Sequence, residues 1–465
     1  MVFKQSIDND KNEIIRHIQK LVQIKSVQEE PKTGKPFGEG PYRALEYVLE
    51  LAKSLGFESK NFDGYAGHVE YGNGDEIVGV LVHVDVVPEG SGWTYPPYSG
   101  EIVDGKIYGR GSYDDKGACI GSLYALKALK ESGLKTNKKV RIIFGANEET
   151  GMKDIPYYLT KEKEPDVAFS PDAPFPVVYG EKGILELSFE KTISAPLGSD
   201  ILKSIKGGTL VKKVAHQCEA VLSVNDHIKE AILNEMKNLD SAFSSSYSFD
   251  KKEGLLKIEI VGKEAYATNP QDGKNAIAGM LSVLGGIDGL EEELKIFIDE
   301  YNKKIGEDYS GERLGCDFTD SISTPLTFNP GIINYENNTL EMKVHIRYPI
   351  TVCHTNIIDK IRENFSDHDA SIRISNHSKA HYIDKDSFLV KKLMSVYKEE
   401  TGDITAEPVT MTGGTYARTL SNAVAFGPLF PGERQVAHDA DEYVNIDSII
   451  KATKIYAKAI YELAK

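Results

Sequence analysis

Between residues 40 and 180, short and almost uniformly apolar runs recur on either side of long helical segments. EIVGVLVHVDVV, VRIIFGAN and DVAFS lack the polar alternation of a strand with one wet face. A run of this kind reads as a strand buried on both sides, as in a parallel or mixed sheet. ALEYVLELAKSLGF and KGACIGSLYALKALKESG read as helices, and such helices cover the faces of that sheet. The expected fold class is therefore α/β: a mixed sheet flanked by helices.

From residue 184 the texture changes. GILELSFEKTIS, AVLSV, GLLKIEIVG and NTLEMKVHIRYPI alternate like strands with one covered face. NAIAGMLSVLGGI and LEEELKIFIDEYNKKIG read as helices beside them. SFLVKKLMSVYKEETG, NAVAFG and a last helix from Asp447 then return to the first texture. We expect a discontinuous first domain, 1–183 with 380–465, interrupted by an α+β domain over 184–379. A chain of 465 residues exceeds what one core usually holds, which also favours two domains.

The formal net charge of -15 disfavours nucleic acid and anionic membranes as partners. No segment reaches the ~20 apolar residues of a membrane span. At the N-terminus Ile14, Ile15, Ile18, Leu21 and Val22 recur with helical spacing, Asp8 or Asn9 being available as a cap, so a secretory leader is not expected. Cys119, Cys218, Cys316 and Cys353 form no C-x-x-C pair and suggest reduced thiols, hence a cytoplasmic protein.

Acidic and histidine residues gather where strands end. His83 and Asp85 stand two apart, so an extended chain points both to one face, a spacing that suits a metal-binding imidazole and a carboxylate orienting it. Glu148 and Glu149 follow RIIFGAN; on an extended chain they face opposite ways, one free to ligate and one to act as a base. Asp172 ends VAFSPD, Asp114 and Asp115 lie in GRGSYDDKG, and His438 lies in VAHDADE. Each alone is commonplace. Together they put imidazoles and hard oxygen donors at successive strand ends, where open α/β sheets place their sites. Such a mixed nitrogen and oxygen set suits zinc or manganese, with space for a shared hydroxide as nucleophile. No Gly-x-Ser-x-Gly elbow supports a rival scheme.

LVHVDVVPEGSGW, IYGRGSYDDKG, GANEETGMKD, SPDAPFPVVYGEKG, HIRYPI and MTGGTYAR…AFGPLFPGERQVAHDADE occur in this order over nearly the whole chain. In these motifs the chain resembles the PepV-like dipeptidases, in the two-metal peptidase family that includes carboxypeptidase G, aminoacylase and succinyl-diaminopimelate desuccinylase. The resemblance implies two divalent ions, zinc first and manganese second. It implies that His83 and Asp172 bind one ion, Glu149 and His438 the other, and that Asp114 bridges them with a cis peptide bond after it. Glu148 is then the general base and Asp85 holds a ligand in place. Arg347, with Gly413, Gly414 and Thr415, binds the free carboxylate of a small peptide substrate, and the enlarged insert points to a monomer.

The inserted domain departs from the family. AYATNPQDGKNA carries Tyr266 where relatives have a carbonyl-polarising histidine, and Lys212, Lys213, Val214 and Ala215 stand where relatives have Asn-Met-Val-Pro. The reading that follows is a metal-dependent dipeptidase. An N-acyl amino-acid deacylase with the same site is one alternative, and a catalytically impaired metal- or peptide-binding protein is the other.

Overall fold

Strand Ile77–His83 is buried at every position, as its uninterrupted apolarity requires. In the computed structural model, which describes residues 2–194, 201–365 and 370–465, it lies inside a nine-stranded mixed sheet among those residues. It runs parallel to Lys139–Gly145 on one side and to Val167–Ser170 on the other. Val167–Ser170 in turn pairs in parallel with Ala423–Ala425, a strand from the far end of the chain. Antiparallel strands Glu58–Phe62 and Ala66–Tyr71 complete the sheet beyond Lys139–Gly145.

Helix Lys116–Ser132 makes the crossover between Ile77–His83 and Lys139–Gly145, and packs on the sheet and on the C-terminal helix Ile446–Ala464. It is apolar on nearly all sides, with Ala118, Ile120, Leu123, Leu126 and Leu129 buried, because it is sandwiched rather than surface-lying. It stops at Gly133, whose φ of 68° places it in the left-handed region and whose N–H bonds the Lys130 carbonyl.

The N-terminal reading needs correction. Asp8 and Asn9 lie inside a first helix, Val2–Asn9, and a second helix, Lys11–Val22, follows Asp10. Phe3 and Ile7 are buried in the core, and that burial extends helix past the residues expected to cap it.

The chain divides into two compact units, Met1–Gly180 with Tyr382–Lys465, and Glu181–His381. The second holds an eight-stranded sheet among the described residues, antiparallel at every named pairing. Strand Gly183–Thr192 lies between Thr339–Tyr348 and Ser371–Ser378. Helices Ala276–Gly285 and Glu292–Lys304 pack together, their apolar residues forming one core with the covered face of this sheet. The four cysteines are free, Cys353 exposed and the others buried. Among the described residues no helix is long and apolar enough to cross a membrane.

Candidate active site

Because the three central strands of the first unit are parallel, their C-terminal ends open on one edge. His83 is the last residue of its strand, and Glu148, Glu149 and Asp172 follow the ends of theirs. Asp114 immediately precedes the crossover helix and its N-cap, Asp115. His438 comes from a loop near the C-terminus, at a positive φ of 66° that a non-glycine residue seldom adopts.

These loops bring five of the expected residues together. His83 Nε2 lies 3.0 Å from Asp114 Oδ1 and 3.8 Å from Asp172 Oδ2. His438 Nε2 lies 3.2 Å from Asp114 Oδ2 and 3.0 Å from Glu149 Oε1. The two triplets, His83 with Asp114 and Asp172, and His438 with Asp114 and Glu149, each present one donor atom per residue within 4.8 Å of the others. Asp114 belongs to both. Asp115 does not compete: its Oδ2 accepts the backbone N–H of His83 at 3.2 Å. The Asp114–Asp115 peptide is cis.

Burial pushes the Glu148 carboxyl well above the usual range, and Glu149, Asp114 and Asp85 push it further against the pull of His83. Burial and the neighbouring Asp114 raise Asp172 in the same way. For His83, burial favours the neutral ring, yet the nearby carboxylates of Asp114, Asp85 and Asp172 outweigh it and the ring is pushed up. A pocket this dense in carboxylates is suited to cations, and one imidazole with two carboxylates per triplet fits a hard or borderline divalent ion.

Asp85 works differently from the expected ring-orienting carboxylate. His83 Nδ1 lies 3.0 Å from the Asp85 main-chain carbonyl, which takes its proton and leaves Nε2 facing Asp114; the Asp85 carboxylate is 3.6 Å away. That carboxylate instead accepts the backbone N–H groups of Glu148 at 3.0 Å and Glu149 at 3.1 Å. Those two residues form a turn, not the extended segment expected, so Asp85 sets their positions through the backbone.

Other buried side chains, not singled out in the sequence, hold the same loops. Asp154 Oδ2 accepts Ala146 N at 2.7 Å and Asn147 N at 2.8 Å, and also the Tyr416 hydroxyl. Tyr416 stands edge-on to His83, ring centroids 6.2 Å apart. Arg110 and Glu442 pair beneath Asp114. All four lie in or beside the quoted motifs, which was the available signal. Gly413 and Gly414 lead into Thr415, whose hydroxyl caps the short turn Tyr416–Thr419 by accepting Ala417 N.

The remaining expected residues belong to the second unit. Arg347 Nε donates to His345 Nε2 at 2.8 Å, and His345 Nδ1 lies 3.0 Å from Glu186 Oε1, its partner across the strand pair. Tyr266 is 40% exposed and bridges Lys213, whose Nζ lies 5.4 Å from the ring centroid. Ala267 N donates to the Lys212 carbonyl at 3.0 Å, so the two departures from the family pattern sit on joined loops.

The model of Peptidase family M20/M25/M40 matches residues 79–462. The Bacillus subtilis (strain 168) protein named "Putative dipeptidase YtjP" is 38% identical over 472 residues, covering 100% of both chains. A Staphylococcus epidermidis protein named "Putative dipeptidase" is 32% identical over 468 residues, covering 99% of each. Among solved structures, the Saccharomyces cerevisiae di-peptidase Dug1p superposes with a TM-score of 0.59 at 15% identity, covering 100% of this chain and 98% of that one. Human carnosine dipeptidase 1 gives 0.57 at 16% identity, covering 99% of each, and both likenesses speak to the fold. The chain belongs to Peptidase family M20/M25/M40 and is a hydrolase of peptide bonds.

Proposed function

We propose that this protein is a metal-dependent dipeptidase acting on small peptides with a free carboxylate. The observation that carries the reading is Asp114, held between two imidazoles at 3.0 and 3.2 Å with a further carboxylate closing each side. His83, Asp114 and Asp172 would hold one divalent ion, and Asp114, Glu149 and His438 the other. Zinc is the first choice for this donor set and manganese the second. Such a pair, when bound, supplies Lewis acidity toward the carbonyl and acidifies water at neutral pH.

The chain's own groups do the rest. Glu148, its carboxylate basicity raised by burial, takes the proton of the attacking water and returns it to the leaving amine. Asp85 fixes the turn that carries Glu148 and Glu149. Arg347 is the second unit's group for the substrate carboxylate, its guanidinium steadied by His345, and Gly413, Gly414 and Thr415 are the first unit's candidates for contacting the same group. Tyr266 offers a neutral phenol as donor to the developing oxyanion. In this reading 1–183 with 380–465 is the catalytic domain and 184–379 the lid, and the protein is a cytoplasmic monomer.

The names of the relatives, alike over their full lengths, support dipeptides as substrates and speak against the catalytically impaired alternative. The test is hydrolysis of a dipeptide panel beside N-acetyl amino acids, after chelation and reconstitution with zinc or manganese. Dipeptide turnover restored by metal is expected. Turnover confined to the N-acetyl compounds would reassign the protein as a deacylase.

A further inference from the structure

The two triplets are not supported alike. His83 is the last residue of the fully buried strand Ile77–His83, and Asp172 lies two residues beyond Val167–Ser170, so the sheet itself fixes both. His438 has no such anchor. Residues 431–440 form no helix or strand, and His438 sits in the left-handed region, which a non-glycine residue seldom adopts.

What holds that loop is a buried ion pair. Arg110 is 2% exposed and Glu442 is fully buried, with Nη1 to Oε2 at 2.5 Å. Glu442 Oε1 accepts the backbone N–H groups of Gly111, Tyr113 and Asp114 at 2.9, 3.1 and 3.2 Å. Arg110 Nη2 donates to the carbonyl of His438 at 3.2 Å, and Nη1 to that of Asp439 at 3.2 Å. One charge thus grips the turn bearing Asp114 and the other grips the loop bearing His438, across 332 positions of sequence.

We propose that Arg110 and Glu442 are positioning residues that set the distance between Asp114 and His438, and so govern the ion held by Asp114, Glu149 and His438 selectively over the ion held by His83, Asp114 and Asp172. The proposal rests on the two-metal reading above. It follows that the two ions bind with unequal affinity and that the pair controls the weaker one. Lysine at position 110 keeps the charge but cannot reach Glu442 and the two carbonyls at once, because it lacks the guanidinium fork.

The test loads native protein, Arg110→Lys and Glu442→Gln with two equivalents of manganese(II), followed by equilibrium dialysis and electron paramagnetic resonance. Native protein should retain two ions with a spin-coupled spectrum. Both variants should retain one ion with an uncoupled six-line spectrum, the second affinity falling about 10–100-fold, the range for partners that orient ligands. Glu442→Gln serves alone if Arg110→Lys does not fold, thermal melting deciding that point. A purely stabilising role would lower the melting temperature without separating the two affinities, and that result overturns the proposal. Spin-coupled pairs persisting in both folded variants overturn it too. A native protein holding fewer than two ions instead overturns the two-metal reading.

Discussion

Asp85→Asn is the substitution whose cost can be worked most directly from the structure. The native carboxylate is 1% exposed and spends both oxygens on neighbouring N–H groups, Glu148 at 3.0 Å and Glu149 at 3.1 Å. Asparagine has the same shape but one acceptor, and its amide nitrogen meets the other N–H donor to donor. Losing a charged acceptor costs about 1.5–3 kcal/mol, and a buried N–H left unpaired about 1–3 kcal/mol more. The turn can relieve part of this by shifting, but any shift moves Glu148 and Glu149, the proposed base and ligand. If about 3 kcal/mol reaches the transition state, kcat/KM falls roughly 10²-fold, since each decade takes about 1.4 kcal/mol. The assay is steady-state hydrolysis of a dipeptide at saturating metal, with a melting curve to show that the variant is folded. The loss should fall on kcat, because Asp85 touches the turn and not the substrate. A folded Asp85→Asn enzyme within about three-fold of native kcat refutes the assignment, that being under 1 kcal/mol of the cost worked above.

Glu148→Gln should keep its metal content while kcat drops ~10²–10⁴-fold, as measured by metal analysis beside kinetics; unimpaired turnover would move the base elsewhere. Arg347→Ala should raise KM for free-acid dipeptides by about 1.5–3 kcal/mol in binding terms and leave amidated analogues nearly unaffected, so equal native activity on both kinds of substrate removes the role. Tyr266→Phe should slow kcat if the phenol serves the oxyanion, and Tyr266→His should restore or exceed it; equal rates for native and Phe enzymes dismiss that role. Burial of His68 lowers its imidazole from 6.5 to about 4. The unfolded chain then binds the extra proton first, so stability is full above pH ~6.5 and declines as pH falls toward about 4, by up to about 3 kcal/mol. Melting temperatures across that window should fall less steeply in His68→Phe, and parallel curves would dismiss the contribution.

The central strands were legible because burial on both faces leaves no polar alternation, a property that sequence carries directly. The edges were not. Glu58–Phe62, sequence ESKNF, buries only Phe62 and is stabilised by its neighbour across the hairpin rather than by its own pattern. Thr327–Glu336 hides behind Pro330 and Gly331, which read as strand breakers yet occupy a bulge where the register shifts. In the site, the residues that gather around Asp114 could be found because they terminate legible strands or fall in specific motifs. Asp154, Arg110 and Glu442 lie in the same motifs but nothing set them apart there, since a charged residue in a loop reads as solvated and its burial arises only when distant segments close over it.

That difference separates two populations of buried carboxylate in the first unit. Asp85, Asp154 and Glu442 each accept at least two backbone N–H groups, and Glu442 adds Arg110. Burial still raises Asp154 to about 6 and Glu442 to about 7, but the oxygens of all three are taken up by the protein's own donors, and their work is to hold three loops. Asp114, Asp172 and Glu149 face the imidazoles of His83 and His438, groups that are neutral when they ligate. Folding places the two populations side by side: one fixes the backbone of the loops, the other projects from that backbone toward a common point. A carboxylate can keep its charge there when a cation shares the point, and the first population leaves the second few alternatives to that arrangement. The rigidity comes from hydrogen bonds that no metal titration removes, so chelation should cost this protein its activity before it costs the loops their shape.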